Sequence, residues 1–369
     1  MRVAIFQTNL KVGGIQRSLS ALTSLLCGCE DIEADIFIND GSDRFFCPCT
    51  NDRVRVYYTR NLPYISRLVP FSLAYLLWKG RVKKDLEAAK GGPLLQYDAA
   101  MDFDSYQNAC AIGALSVDAK KRICWVHNDV ERKLKNEWKY RLLRFFFKGK
   151  YGRYDTMAMV STGVRDPFYR VNKNAPKRNV IINNAVDTRA IRESLKDESS
   201  SADKFLTRGE DCIEIVSLGR LCVQKGYFKM LDLISDVAEK RSREQIHFTV
   251  IGDGPLRESL NREVRSRGLD GYITFTGNLK NPFPLMAGCD AFLTCSEYEG
   301  QPLSIMEASA LNLPVIMPKH LEENAGGIKG SEDMTAAVLS VKKREDRGSV
   351  RDLDGYNSEI IKSFRELIL

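Results

Sequence analysis

Several patterns that identify common protein classes are missing from this chain of 369 residues. Its cysteines do not follow the C-x₂-C spacing of structural zinc sites, because the pairs that begin at Cys27 and Cys47 read C-x-C. The turn at Gly13 and Gly14 is not a full G-x-G-x-x-G, which disfavours a nicotinamide dinucleotide. No recognised nucleic-acid-binding module is present. These absences argue against a zinc-stabilised domain, a dehydrogenase and a nucleic-acid-binding protein.

Long hydrophobic runs and a secretion signal are also missing. The two most basic and aromatic stretches, 60–84 and 132–150, fall short of the roughly 18 uninterrupted apolar residues that span a bilayer. The beginning of the chain, MRVAIFQTNL, has the pattern of a first β-strand rather than of a signal peptide. Cys124 and Cys295 fall in apolar strands. We therefore expect reduced thiols in a cytosolic protein.

The hydrophobic pattern predicts a two-domain α/β protein. Strand-like runs such as VAIF alternate with helix-like runs in both halves, which favours parallel sheets covered by helices. A polar, serine-rich segment at 196–211 is interpreted as a loop or a hinge. Residues 1–187 contain 30 Lys and Arg against 19 Asp and Glu, whereas the remainder contains 25 against 29. The basic first half favours an anionic partner.

A glycine-bounded loop follows the predicted strand at 212–218. Arg220 and Lys225 lie in this loop, between Gly219 and Gly226 and directly before a predicted helix. Arginine offers a fork to phosphate oxygens and lysine a point charge, so the loop suits a phosphate. A solvated basic loop is the alternative. One of only three histidines, His127, lies at another predicted strand end, where ligands bind in α/β folds.

Two glutamates flank a predicted helix start in SEYEGQPLSIMEASAL. Glu299 lies in the loop before the helix and Glu307 lies within it. The amide groups at the helix N-terminus favour an anion. The two glutamates therefore suit the binding of hydroxyl groups of a nucleotide or a sugar. They suit less well the role of a glycosidase pair, whose carboxylates lie on opposite sides of one scissile bond. Two ordinary surface charges remain the alternative.

Seven motifs, in order along nearly the whole chain, resemble the retaining glycosyltransferases of family 4, also called glycosyltransferase group 1. They are GGIQRS, WVHND, NNAVD, SLGRLCVQKGY, VIGDGPLRESL, ITFTGNL and SEYEGQPLSIMEASALNLPVI. The resemblance implies the GT-B fold, with two facing Rossmann-like domains, parallel sheets and an inter-domain cleft. The expected domains are 1–187 for the acceptor and 188–354 for the nucleotide-sugar, with a C-terminal helix at about 355–369 that packs back on the first domain.

The resemblance also implies roles for individual residues. Arg220 and Lys225 would neutralise the diphosphate, Glu299 would bind hydroxyls of the donor sugar, and His127 would reach that sugar from the first domain. The donor-binding set comprises Gly13, Gly14, Gly219, Gly300, Gln301, Pro302, Leu303 and Glu307, with Glu307 on the ribose. The family needs no metal or other cofactor, and Asp102-Phe-Asp104 is discounted as a D-x-D metal site.

Two departures from the family pattern are visible. The usual NG(V/I)D motif reads Asn184-Ala185-Val186-Asp187, and the usual acidic, glycine-containing loop after PVIMPKH is replaced by LEENAGGIKGSED. These departures put the identity of the donor in doubt, and UDP is the expected nucleotide because it is common in the family. A non-catalytic glycan- or protein-binding relative is the main alternative. An epimerase or hydrolase that acts on nucleotide-sugars is the weaker one.

The basic and aromatic segments 60–84 and 132–150 predict a helical surface that lies on an anionic membrane. Two packed helices with extended lysines are the alternative. The expected partners are thus a nucleotide-sugar donor, a glycan or lipid-linked acceptor and the membrane surface. We expect a cytoplasmic enzyme, peripheral on the inner membrane face, that contributes to a capsule, lipopolysaccharide or related polysaccharide.

Overall fold

A computed structural model of the protein describes residues 1–60, 68–197, 204–206, 209 and 211–369. The chain divides into two compact units. The first comprises Met1–Ala185 and Asp354–Leu369, and the second comprises Val186–Leu353. The predicted hinge at 196–211 lies in part outside the described residues, as do residues 61–67 of the predicted membrane segment.

The strands and helices alternate through most of both units. The strands are β1 (Arg2–Leu10), β2 (Glu33–Arg44), β3 (Val54–Tyr58), β4 (Tyr97–Asp102), β5 (Ala119–Val126), β6 (Thr156–Met159), β7 (Asn179–Ile181), β8 (Ile213–Leu218), β9 (Ile246–Ile251), β10 (Ile273–Gly277), β11 (Ala291–Leu293) and β12 (Val315–Ile316). The helices are α1 (Gly14–Cys27), α2 (Phe71–Lys90), α3 (Asn108–Ser116), α4 (Val130–Asn136), α5 (Trp138–Phe147), α6 (Thr162–Val171), α7 (Thr188–Ser194), α8 (Tyr227–Ala238), α9 (Arg257–Ser266), α10 (Phe283–Ala287), α11 (Leu303–Ala310), α12 (Met334–Leu339) and α13 (Asp354–Ile368).

The described residues of the first unit contain a seven-stranded parallel sheet in the order β3-β2-β1-β4-β5-β6-β7. Its central strands are apolar on both faces because helices cover both sides, as the buried Val3 and Ala4 of β1 illustrate. The C-terminal helix α13 belongs to this unit and buries Ile360 and Phe364 in its core. The strand order reverses between β1 and β4, which is where such sheets open a ligand crevice at their carboxyl edge.

The described residues of the second unit contain a five-stranded parallel sheet in the order β10-β9-β8-β11-β12. Its order reverses between β8 and β11. The loops that follow these two strands carry Arg220, Lys225 and Glu299. The predicted site residues of this unit therefore lie at the switch point of its sheet. The two sheets confirm the prediction of two Rossmann-like domains with parallel sheets.

Some boundaries differ from the sequence prediction. The apolar run AFLTCS predicts a strand over 291–296, but β11 ends at Leu293. Pro302 and Pro255 are each expected in the first turn of a helix, and Pro302 instead precedes α11. Pro255 likewise lies before α9, whereas Gly268 has the left-handed φ of 67° expected of a glycine that ends a helix. Among the described helices, none is both long enough and apolar enough to cross a membrane.

Candidate nucleotide-sugar site

The loop between β8 and α8 ends in a glycine whose conformation other residues rarely adopt. A 3₁₀ turn at Val223–Lys225 leads into Gly226, which has a left-handed φ of 65°. A Cβ atom on Gly226 would lie only 2.0 Å from the carbonyl oxygen of Cys295, in the loop that follows β11. Glycine at 226 thus lets the β8–α8 loop and the β11–α11 loop pack backbone against backbone.

The turn after β9 packs against the same loop from the other side. A Cβ atom on Gly252 would lie 2.0 Å from the carbonyl oxygen of Gly219, and Gly252 has a φ of 143°. The amide of Leu221 donates to the carbonyl of Asp253 over 3.0 Å. The Gly252–Pro255 turn therefore supports the backbone of residues 219–221 as well as reversing the chain.

The structure brings two predicted site residues into direct contact. Lys225 Nζ donates to Glu299 Oε1 over 2.6 Å, and the second carboxylate oxygen accepts a longer bond of 3.4 Å from Gln224 Nε2. The Glu299 side chain is almost buried. A carboxylate offers about four acceptor positions, so Glu299 retains acceptor capacity for hydroxyl groups beyond these two bonds.

Arg220 differs from Lys225 in its surroundings. Its side chain is exposed, and within the described part of the chain no carboxylate lies within ion-pair distance of its guanidinium. The neighbouring Gly219 carbonyl accepts a 3.0 Å hydrogen bond from the phenol of Tyr227. Burial raises the pKa of Tyr227 well above its ordinary value, which keeps this donor protonated. The backbone beside Arg220 is thus fixed while its cation faces solvent.

The glutamate in α11 occupies a different environment from Glu299. Glu307 lies in the second turn of the helix and is buried, as is Gln301 before the helix. Pro302 at the helix N-cap makes no side-chain capping bond. The N-cap side chain therefore does not accept a hydrogen bond from the amide groups that carry the partial positive charge of the helix N-terminus. Gly300 and Pro302 are buried in the loop before the helix, as is Leu303 at its first position.

Several residues that support the loop were not predicted. Gln224 Nε2 donates to the carbonyl of Tyr298 over 3.0 Å, and Asn324 Nδ2 donates to the carbonyl of Glu299 over 3.0 Å. His320 Nε2 lies 3.1 Å from the carbonyl of Ser296. Gln224 stands between the two predicted cations, and Asn324 lies in the stretch that departs from the family pattern. The position of these residues in those segments is the sequence signal that could have identified them.

The histidine of the first unit is buried at the end of β5. Burial lowers the pKa of His127 to about 3, so the imidazole is neutral at physiological pH. A ring N–H donates toward the carbonyl of Phe103, whose ring centroid lies 4.6 Å from that of His127. Among the described residues, His127 Nε2 has no hydrogen-bond partner. A proton on Nδ1 would face that carbonyl, which leaves Nε2 able to accept a hydrogen bond.

Gly13 precedes α1 and Gly14 begins it, both without backbone strain. Gly13 has an extended φ of 174°, and its carbonyl accepts from the Arg17 amide over 3.1 Å. A Cβ atom on Gly14 would meet nothing within 4 Å. Neither position needs glycine for its own conformation. Their predicted contact with the donor or acceptor stays a prediction, as do the other assigned roles.

The discounted D-x-D pattern is part of an internal network. Asp102 is fully buried and accepts from Lys150 Nζ over 3.0 Å and from the Tyr154 hydroxyl over 2.7 Å. Burial raises the pKa of Asp102 to about 6. Within the described ranges, no three His, Cys, Asp or Glu side chains cluster in a way that could hold a metal ion. Metal independence of the reaction stays a prediction.

Two parallel-sheet Rossmann-like units with site loops at a switch point define the class of GT-B glycosyltransferase folds. The complex of Anabaena HepE with UDP and glucose matches this fold with a TM-score of 0.65 and 13% identity, over 100% of this chain and 98% of that one. Residues 213–340 match the model of the family Glycosyl transferases group 1. The segment 213–340 thus matches glycosyltransferase group 1, the family that the motifs predicted, and the chain has the predicted GT-B fold.

Curated relatives match parts of the chain. The N-acetylgalactosamine-N,N'-diacetylbacillosaminyl-diphospho-undecaprenol 4-alpha-N-acetylgalactosaminyltransferase of Campylobacter jejuni is 24% identical over 187 residues, 51% of this chain and 47% of that protein. The putative glycosyltransferase EpsF of Bacillus subtilis is 26% identical over 237 residues, 63% of this chain and 60% of that protein. The chain thus spans roughly half the length of these relatives.

Proposed function

We propose that this protein is a retaining glycosyltransferase that moves a sugar from a UDP-sugar to a glycan or lipid-linked acceptor in surface polysaccharide biosynthesis. One observation carries the proposal. The exposed Arg220 and the Lys225–Glu299 pair lie together on the two loops at the switch point of the second sheet, inside the segment that matches group 1. A cation pair beside a carboxylate suits a donor that joins a diphosphate to a polyhydroxylated sugar.

The proposed chemistry depends on charge stabilisation rather than on a metal. Arg220 and Lys225 bind the diphosphate and stabilise the negative charge that develops as the sugar–phosphate bond breaks. The uncapped start of α11, at Leu303, adds partial positive charge on the same side of the loop. Glu299 receives sugar hydroxyls at the acceptor positions that Lys225 and Gln224 leave open. Glu307 binds the ribose.

His127 supplies a neutral acceptor from the first unit. Its unpartnered Nε2 accepts a hydroxyl of the donor sugar, and its low pKa keeps that atom unprotonated over the whole physiological pH range. The histidine therefore positions the sugar and does not act as a general acid.

The proposed acceptor and location follow from the relatives and the basic first unit. The Campylobacter relative is named as an enzyme that acts on a diphospho-undecaprenol-linked sugar, and the Anabaena structure contains UDP and glucose. A lipid-linked acceptor accords with the 30 basic residues in 1–187. We keep the prediction of a cytoplasmic enzyme that contacts the inner membrane face through 60–84 and 132–150.

Separated readouts of binding and transfer test the proposed roles. Glu307→Gln should weaken UDP binding in calorimetry by about tenfold or more, since it removes a charge-assisted hydrogen bond of about 1.5–3 kcal/mol. Glu299→Gln should reduce transfer from UDP-sugar to a lipid extract by a similar factor while UDP still binds. Glu297→Gln, at a neighbouring half-buried carboxylate that pairs with Lys229, is the matched control and should change neither. The assignment would be contradicted if Glu307→Gln bound UDP as the parent does and Glu299→Gln transferred sugar as the parent does.

Product stereochemistry tests the retaining mechanism. Nuclear magnetic resonance of the first-formed product should show the anomeric configuration of the donor sugar. Mass spectrometry with a panel of nucleotide-sugars identifies the donor. An inverted product would overturn retention. UDP-sugar hydrolysis without transfer to any lipid extract would favour the hydrolase alternative.

A further inference from the structure

Residues 45–51, here called the strap, connect β2 to β3 and lie along one face of helix α1. Ser20 and Thr23 share that face because they are three residues apart in the helix. Ser20 Oγ donates to the carbonyl of Cys47 over 3.1 Å, and Thr23 Oγ1 accepts from the amide of Cys49 over 3.0 Å. The strap therefore follows the helix turn by turn.

Both ends of the strap are fixed within the first unit. At its start, the Phe46 amide donates to the carbonyl of Leu10 over 3.0 Å, and the Arg17 guanidinium lies 5.4 Å from the centroid of the Phe46 ring. At its end, Asn51 Nδ2 donates to the carbonyl of Cys27 over 3.0 Å. The strap thus begins beside the first turns of α1 and ends at the last residue of that helix.

This course brings one thiol of the strap against the last residue of α1. Cys27 lies one helical turn beyond Thr23, and its thiol is hydrogen-bonded to the thiol of Cys49. Burial, together with that hydrogen bond, raises the pKa of Cys27 to about 12, so Cys27 is protonated at neutral pH. Cys49 is exposed, whereas Cys27 is half-buried. A reagent in solution therefore reaches Cys49 first.

The two other cysteines of this region are placed differently. Cys47 is exposed, but its carbonyl bonds to Ser20, two helical turns before Cys27. Cys29 is buried, and its thiol donates to a carbonyl of α1 over 3.5 Å. In the part of the chain that the structure describes, these thiols do not form a group of three metal-ligating side chains. The contacts therefore favour a pair, Cys27 with Cys49, over a four-cysteine metal site.

We propose that Cys27 and Cys49 are a redox-active pair of thiols, which a low-molecular-weight disulfide oxidises to a disulfide bond that holds the strap on α1. The Cys49 thiolate attacks one sulfur of the external disulfide and releases one thiol. Cys27 then gives up its proton, attacks the sulfur of Cys49 and releases the second thiol. Two electrons and the two protons of the protein thiols thus pass to the reagent. The inference depends on neither the nucleotide-sugar nor the transfer reaction.

The second step should limit the rate. The thiolate is the nucleophile in thiol–disulfide exchange, and the Cys27 thiol is protonated at neutral pH. A mixed disulfide on Cys49 should therefore accumulate before the internal bond forms. Formation of the internal bond should become about tenfold faster for each unit of pH between pH 7 and pH 9.

Peptide mass spectrometry of the full chain tests the pair, with glutathione disulfide as the oxidant. Trypsin releases the two cysteines in separate peptides, 18–44 and 45–53, because neither contains Lys or Arg before its last residue. After oxidation and alkylation of the remaining thiols, we expect the two peptides to be joined. Dithiothreitol should separate them again.

Substitutions identify the two thiols, since each peptide contains two cysteines. Cys27→Ser and Cys49→Ser should each abolish the joined peptide. Cys29→Ser and Cys47→Ser are the matched controls and should retain it. Thr23→Val removes the acceptor of the Cys49 amide and should slow formation of the bond about fivefold. Circular dichroism checks that every variant remains folded.

Hydrogen–deuterium exchange reports the effect of the bond on the strap. The amide hydrogens of residues 45–51 should exchange about tenfold or more slowly in the oxidised protein than in the reduced protein, because a covalent bond replaces a contact between thiols. The Cys49→Ser variant should show the same exchange with and without the oxidant.

Three results would overturn the proposal. One is a joined peptide that persists in Cys27→Ser or Cys49→Ser, since other cysteines would then form it. Another is glutathione attached to Cys47 and Cys49 without any joined peptide up to pH 9, which would make them separate surface thiols. The third is a disulfide that leaves exchange of the strap unchanged. No nucleotide-sugar is present in these assays, so each result leaves the proposed transferase activity standing.

Discussion

The contact between Lys225 and Glu299 gives the sharpest test of the described site. We would replace Lys225 by Met, Glu299 by Gln, and both together, and measure the free energy of unfolding of each variant. A second cycle with Lys229→Met and Glu297→Gln is the matched control. That pair joins the same two parts of the chain at nearly the same distance, 2.7 Å against 2.6 Å.

Burial determines the expected difference between the two cycles. The side chains of Lys225 and Glu299 are 20% and 8% exposed, whereas those of Lys229 and Glu297 are 64% and 34% exposed. Hydrogen bonds to charged groups contribute about 1.5–3 kcal/mol when water is largely excluded. Exposed ion pairs contribute about 0.2–1 kcal/mol. We therefore expect a coupling energy of about 1.5–2.5 kcal/mol for the first cycle and less than about 1 kcal/mol for the control.

Urea unfolding followed by circular dichroism is the assay. Tryptophan fluorescence would not report on the second unit, because Trp78, Trp125 and Trp138 all lie in the first. Equal coupling energies in the two cycles would refute the argument from burial. The Lys229 and Glu297 variants should also retain full transfer activity, whereas either variant of the first pair should lose most of it.

Three further substitutions have effects that the structure predicts. Gly226→Ala should destabilise the second unit by more than about 1 kcal/mol, the usual cost of a left-handed residue, because its Cβ also meets the Cys295 carbonyl; unchanged unfolding in urea would contradict this. Lys150→Met should cost about 3–5 kcal/mol in the free energy of unfolding, since it leaves the Asp102 carboxylate buried without its cation, and a melting temperature equal to the parent's would argue against the pair. The pKa of His127 is lowered from 6.5 to about 3 in the folded protein, so the unfolded chain takes up this proton first as the pH falls. The free energy of unfolding should therefore decrease by about 2 kcal/mol between about pH 8 and about pH 5. The variant His127→Gln should lack that part of the pH dependence, and identical pH profiles of parent and variant would exclude it.

The sequence predicted the parts of the site that depend on local pattern. Strand, loop and helix alternation placed Arg220 and Lys225 after one strand and Glu299 after another, and parallel sheets bring such loops to one edge. A glycine after a helical pattern is also a local signal of a helix end, and Gly268, with its left-handed φ, ends α9 in this way.

The features that the sequence did not predict depend on distant contacts. Lys225 and Glu299 are 74 residues apart, and separate roles in the donor site gave no reason to pair them. The need for glycine at 226 comes from the carbonyl of Cys295, which only tertiary packing brings near. Burial of His127 against Phe103 also required the fold, because a polar residue at a strand end has the same local pattern whether exposed or covered.

The direct test of the central claim is calorimetric titration of the full chain with UDP and other nucleoside diphosphates. We expect saturable binding of UDP without added metal, weakened about tenfold or more by Arg220→Gln and by Glu307→Gln and unchanged by Glu297→Gln. An absence of binding by every nucleoside diphosphate would contradict the claim that the second unit holds a nucleotide-sugar site.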